Sequence, residues 1–304
     1  MIDIFVGGVL PIFAIGAIGY LFGRLGTFDV AMATAINRLV FFVGIPMLGF
    51  RLIVRAPLED FDLTMLLGFL ISELVVYLSA AAVGRYVFKC DAKESILLGL
   101  ACALTNHILF VLPMAIVLFG ELAATPIIAI VTMDTIILFS GTLIIMEFMT
   151  SETGALGHVM GKIVRNPPVM SVVAGFAVAL SGLVLPKGVD VFLDFTSGIA
   201  APCALFSLGI ILSQPQQPGR AMLPVALTGV KLILHPVLAW LLLVTLFEVA
   251  PAIANPAMMV AAAPCGAMGF VLALNYGVRV DAIARAVFYT TIGSLATITI
   301  AASL

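Results

Sequence analysis

Three ionisable side chains lie deep inside long apolar stretches of this sequence: Glu73, Asp134 and Lys231. A charge at mid-bilayer costs about 2.5–3.5 kcal/mol on insertion scales, so each is expected to be paired or to face a watery cavity. Counting about 1.5 Å per helical residue puts Glu73 and Asp134 roughly 12–14 Å below one membrane face and Lys231 roughly 14 Å above the other. In a hydrocarbon core of about 30 Å those depths nearly coincide. An ion pair between Lys231 and either carboxylate is therefore allowed. It could serve as a structural tie or as a charge pair that tunes coupling.

Two proline-centred stretches form the second constellation. One runs from Thr105-Asn106-His107 to Pro113, and the other is Ala263-Pro264-Cys265-Gly266-Ala267-Met268-Gly269. A mid-span proline deletes one backbone hydrogen bond and clashes with the carbonyl one turn earlier. Flanking polar or glycine residues let the backbone open further, and open backbone at membrane depth is tolerated only inside protein or beside a watery cavity. Two such breaks predict helices that break and cross near the midplane. Their second halves would offer free amides and positive dipole ends, which suit an anion. His107, directly after the first break, is placed either to meet a substrate or proton, or as a hydrogen-bonded interior residue. His235 precedes Pro236 and is expected to sit at a local kink, while His158 falls in a polar segment and is expected to be solvated.

The elements that must position these residues follow from composition. The chain has 304 residues, 63% hydrophobic and 10% charged, with a mean hydropathy of +1.26. Soluble domains are nearer half apolar and a quarter charged, so a soluble enzyme, a disordered chain and a nucleic-acid binder are excluded. A net charge of −2 leaves no basic face for phosphate backbones or acidic lipids. Ten apolar spans are expected, at 4–22, 33–53, 63–87, 95–119, 124–148, 168–185, 190–212, 221–247, 255–276 and 282–303. None alternates with period two, which disfavours a barrel, so the spans read as helices. The first run is long enough to span and begins with Asp3 rather than a basic cluster, unlike a cleavable signal.

With the N-terminus outside, inner loops and flanks hold ten basic residues, Arg24, Arg38, Arg85, Lys89, Lys93, Lys162, Arg165, Arg220, Arg279 and Arg285. The outer ones hold three, Arg51, Arg55 and Lys187. The positive-inside rule then places both termini outside. Five spans precede the polar segment and five follow it, so the halves, 1–149 and 168–304 around a short cytoplasmic loop at 150–167, are inverted in the membrane. Matching prolines agree: Pro11 with Pro168, Pro46 with Pro202 and Pro113 with Pro264, at offsets of 157, 156 and 151.

No HExxH zinc pattern, Walker A loop or GxGxxG loop is present, nor a Gly-x-Ser-x-Gly elbow. Cys90, Cys102, Cys203 and Cys265 show no paired or metal-like spacing and read as small buried apolar residues. No cofactor, no metal and no enzymatic activity are expected.

Four stretches resemble the auxin efflux carrier family, which includes plant PIN proteins and bacterial carriers of malonate and other carboxylates. They are Ile36-Asn37-Arg38-x-Val40 followed by Pro46; Arg165-Asn166-Pro167; Asn106 seven residues before Pro113; and Pro264-x-Gly266 with Phe270-Val271-x-Ala273-x-Asn275-Tyr276. The resemblance implies a ten-helix fold, also found in sodium–bile acid symporters, with a scaffold from spans 1, 2, 6 and 7 and a transport domain from spans 3–5 and 8–10. It implies elevator-like movement, a homodimer through the scaffold, Asn106 beside the substrate carboxylate, and Pro113 and Pro264 as paired crossover prolines. Cys265 stands where plant members often carry glutamine, which weighs against auxin itself. Pro168 replaces a frequent second asparagine, and the central loop is short. The second break offers no acidic sodium ligand, which disfavours sodium coupling.

The function expected is secondary transport of a small organic anion by a multi-pass protein of the bacterial inner membrane. Asn106, His107, Pro113, Pro264, Cys265 and Gly266 would lie at the substrate, and Glu73, Asp134 and Lys231 would tune charge. The alternatives are sodium- or proton-coupled uptake of a larger amphipathic acid, and a membrane sensor that binds an anion without moving it.

Overall fold

The computed structural model describes residues 14–151, 160–161, 163–215 and 220–303, with the side chains of Ile108, Leu109 and Pro113 outside that description. Pro11, His158 and Lys162 also lie outside the described residues. The described chain is almost entirely helical. In order it forms α1 (14–24), α2 (Val30–Val54), α3 (Leu63–Val87), α4 (Ala92–Ala103), α5 (107–119) and α6 (Glu121–Thr150). Then follow α7 (Pro167–Ser181), α8 (Lys187–Leu212), α9 (Met222–Leu246), α10 (Pro251–Ala262), α11 (Met268–Asn275) and α12 (Asp281–Ala301). Six of them, α2, α3, α6, α8, α9 and α12, are long and apolar enough to cross a membrane alone. Among the described residues the only β pairing is one isolated bridge.

Helix starts follow local chemistry. The carboxylates of Asp29, Asp62 and Asp91 accept from the amides of Met32, Met65 and Glu94, each at 2.8 Å, capping α2, α3 and α4. Between α5 and α6 the turn is made by Gly120 at φ +84°, a conformation that costs glycine little.

Three prolines inside helical runs share one device. The residues before Pro46, Pro113 and Pro236 are Ile45, Leu112 and His235, and each amide bonds five residues back, to Val40, His107 and Val230. A proline has no N–H and its ring clashes with the carbonyl four residues back. The wider turn moves that carbonyl aside, and such π-bulges recur at functional sites. The kink expected at His235 thus takes the form of a widened turn over Val230–Leu234.

Two apolar clusters form the interior. On each of three stretches the change from one cluster to the other falls at a polar residue. Glu73 lies between Phe69 and Val76 on α3, and Thr105–His107 between Ala103 and Phe110. Asp134 lies between Met133 and Leu138 on α6, while on α9 Lys231 comes before the change, which falls between Leu238 and Ala239. A polar layer therefore separates two apolar ones, and residues far apart in sequence share it.

Candidate functional site

The stretches at 95–119 and 255–276 are each two helices with a non-helical break. The breaks meet. Thr105 and Cys265 form the antiparallel bridge; Gly266 N–H donates to Leu104 O at 2.8 Å and Asn106 N–H to Pro264 O at 3.4 Å. The backbone groups freed by one break are thus satisfied by the other, as a dry interior demands. A Cβ on Gly266 would sit 2.9 Å from the Thr105 carbonyl oxygen, so this close approach needs glycine. From α12, Thr290 accepts from Cys265 N–H at 3.1 Å and Thr297 donates to Ala262 O at 2.6 Å, pinning both sides of the second break.

Beside the crossing lies a cavity of about 220 Å³. One wall is the crossing itself, with Thr105, Asn106, His107, Gly266, Ala267 and Met268, joined by Val131, Asp134 and Phe139 of α6. The other comes from α2 and α8, including Ile45, Gly49, Arg51, Ser197, Pro202 and Leu205. The first residues of α5 and α11, His107 and Met268, line this space, which sets the positive ends of both helices beside it. The Asn106 side-chain amide caps nothing, so its donors remain available to a ligand.

Asp134 belongs both to the cavity lining and to a buried charged layer. Glu73, Asp134 and Lys231 are all essentially inaccessible. The Lys231 ammonium donates to Thr105 Oγ1 at 2.6 Å and contacts His235 Nδ1 at 2.9 Å. Among the described residues it closes no ion pair within 4 Å, so the pairing allowed by depth gives way to a link between α9 and the crossing. His107 Nε2 stands 3.1 Å from Asp134 Oδ2 without hydrogen-bond alignment, and among the described residues neither Glu73 oxygen has a hydrogen-bond partner. Ligand atoms of Glu73, His107 and Asp134 lie within 4.8 Å of one another, close enough to hold a small cation.

The cavity therefore brings together Asn106, His107, Gly266 and Asp134. Pro264, Cys265, Glu73 and Lys231 do not line it, and Cys265 is buried beside Cys102 and Lys231. Pro113 is the second residue of the regular part of α5, Leu112–Phe119. Cys90, Cys102 and Cys265 are buried and Cys203 half-buried, all as free thiols. The sequence reasoning missed Arg51, treated there only as a flanking charge although its place within span 2 was a usable signal. Its Nε is 2.8 Å from Asp194 Oδ1, and its Nη1 donates to Ser197 Oγ at 3.1 Å.

Other family-like motif residues form ties away from the cavity. Asn37 Nδ2 donates to Val271 O at 2.9 Å. Glu147 Oε1 accepts from Asn166 Nδ2 at 3.2 Å and from the Tyr276 hydroxyl at 2.9 Å, joining α6, the start of α7 and the end of α11.

A protein of Rhizobium meliloti named "Putative malonate transporter" is 29% identical over 307 residues, covering 96% of this chain and 93% of that protein. An "Uncharacterized transporter" of Methanothermobacter thermautotrophicus is 26% identical over 309 residues, covering 96% of each. The profile described as membrane transport protein, that of the auxin efflux carriers, matches residues 4–302. The chain is thus a multi-pass membrane protein that belongs to the membrane transport protein family.

Proposed function

We propose that this protein is a secondary carrier of small organic anions, carboxylates such as malonate or auxin-like weak acids, in the bacterial inner membrane. The observation that carries the reading is the cavity at the crossed breaks, where the Asn106 amide and the starts of α5 and α11 converge. Such half-helix ends bind substrate carboxylates in carriers built from inverted repeats. The relative named for malonate favours a short carboxylate.

In this reading ten spans form two inverted halves, 1–149 and 168–304, with both termini outside. Spans 1, 2, 6 and 7 are the scaffold and spans 3–5 and 8–10 move against it as an elevator, within a homodimer. The cavity wall from α2 and α8 then belongs to the scaffold and the crossing to the moving part. Pro113, Pro264, Cys265 and Gly266 shape the crossing, while Glu73, Asp134 and Lys231 tune its charge. The convergence of Glu73, His107 and Asp134 supports a second reading, coupling to a proton or sodium.

The test is uptake and counterflow in proteoliposomes with radiolabelled malonate, malate, succinate and indole-3-acetate, with and without imposed proton and sodium gradients. Saturable exchange of an acid, lost in Asn106→Ala, is the expected result. Specific binding without counterflow would replace the carrier with a sensor, and full transport by Asn106→Ala would overturn the crossing as the substrate site.

A further inference from the structure

We infer that Arg51 is a second anion-binding pole of the cavity and makes the site selective for dicarboxylates over monocarboxylates. The inference rests on the carrier reading above and adds the substrate class. One cavity wall offers the Asn106 amide and the positive starts of α5 and α11, with His107 and the Asp134 carboxylate beside them. Arg51 lies on the other wall and is the only cationic side chain lining the cavity among the described residues.

The guanidinium is held before any ligand arrives. Its Nε faces Asp194 Oδ1 at 2.8 Å and its Nη1 donates to Ser197 Oγ at 3.1 Å. Asp194 is itself held by Arg55 at 2.8 Å, and Arg55 is held by Asp190 at 2.8 Å. The second terminal amino group of Arg51 donates no hydrogen bond among the described residues. A planar fork with free N–H donors is the side chain best suited to a carboxylate. A guanidinium already oriented loses little rotamer freedom on binding.

Much of the remaining lining is apolar, including Ile45, Pro202 and Leu205. A guanidinium and a separate set of neutral donors in one small, mostly apolar cavity suit two carboxylates joined by a short methylene bridge. A monocarboxylate occupies one pole only, and a bulky aromatic acid has to set its ring against a charged guanidinium. Asp190 and Asp194 balance the charges of Arg51 and Arg55, so the wall holds a cation at the cavity without net positive charge to trap the ligand.

The experiment is proteoliposome counterflow of radiolabelled malonate or succinate, whichever the wild type exchanges. Unlabelled dicarboxylates and their monomethyl esters compete, in wild type, Arg51→Gln and Arg51→Lys. The wild type is expected to prefer each dicarboxylate over its half-ester at least tenfold. Arg51→Gln brings that ratio within about threefold, and Arg51→Lys, which keeps the charge but loses the fork, falls between. Because the readout is a ratio, a general loss of active protein does not mimic it; if Arg51→Gln fails to fold, Arg51→Lys decides. An unchanged ratio in the variant that exchanges, or a wild type that takes half-esters equally well, overturns the inference and leaves the carrier intact. A wild type that exchanges none of these acids overturns the carrier reading itself.

Discussion

Asn37 of α2 reaches across 234 positions of sequence to donate a 2.9 Å hydrogen bond to the carbonyl of Val271 in α11. The two residues sit in two of the stretches that carry the family likeness, and neither lines the cavity. Their tie joins the proposed scaffold to the proposed moving part, so an elevator step has to break it. Asn37→Ala is expected to cost about 1 kcal/mol, seen as a fall of about 2–4 °C in thermal unfolding of the detergent-solubilised protein, with transport retained. Asn106 has no side-chain partner among the described residues, so Asn106→Ala is expected to lose transport with little change in unfolding temperature. Equal loss of transport in both variants would contradict this division of labour.

Lys231 gives the second prediction. It is fully buried, bonded to Thr105 and His235, and close enough to Glu73 and Asp134 to act on both electrostatically. Removing one partner from a buried charge cluster costs about 3–5 kcal/mol, because the remaining charges are left uncompensated. Lys231→Ala is therefore expected to lower the thermal midpoint severely. Adding Glu73→Gln removes one of the stranded carboxylates and recovers part of the loss, so the double-mutant cycle gives a coupling energy of about 1 kcal/mol or more. Additive effects would show that Lys231 serves Thr105 alone.

Cys90 supplies a pH-dependent prediction outside the membrane-spanning helices. Burial and the neighbouring Glu94 carboxylate push its thiol up to about 11, against the opposing pull of Arg220, whose Nη1 lies 3.3 Å from the sulfur. The thiolate is the reactive form, and at pH 8 a pKa near 11 leaves roughly one thiolate per thousand molecules. Cys90 in the folded protein is expected to label with maleimide at least about tenfold more slowly at pH 8 than in the SDS-denatured chain, as read by peptide mass spectrometry. Labelling accelerates as pH approaches 11. Glu94→Gln, which removes a contribution that raises the pKa, speeds labelling at pH 8; unchanged labelling would remove Glu94 from this account.

Much of the helical layout was legible because hydropathy and proline act locally. The expected span at 63–87 coincides with α3, and most other spans lie within a few residues of observed helices. The second break was legible for the same reason, since Pro264 near Gly266 deletes a backbone bond wherever the chain later folds. The first lies at 104–106, whereas Pro113, expected to mark it, falls inside α5. Glu73, Asp134 and Lys231 could be placed at similar depth by counting residues. Their partners could not, because depth leaves lateral position undetermined, and Lys231 turns to Thr105 and His235 instead of closing a carboxylate pair within 4 Å. Arg51 escaped notice because a charge near a helix end reads as a flank until α8 is laid beside it.

By itself the sequence determined a multi-pass helical chain, the helix positions to within a few residues, and the two stretches in which helices break, since each depends on neighbours within a few turns. Only the tertiary structure decided that the breaks bridge through Thr105 and Cys265. It alone put Asn106 and Arg51 in the lining of one cavity and left Cys265 and Glu73 out of it. Those relations join residues tens to hundreds of positions apart, and helix packing sets them in three dimensions where no local pattern reaches.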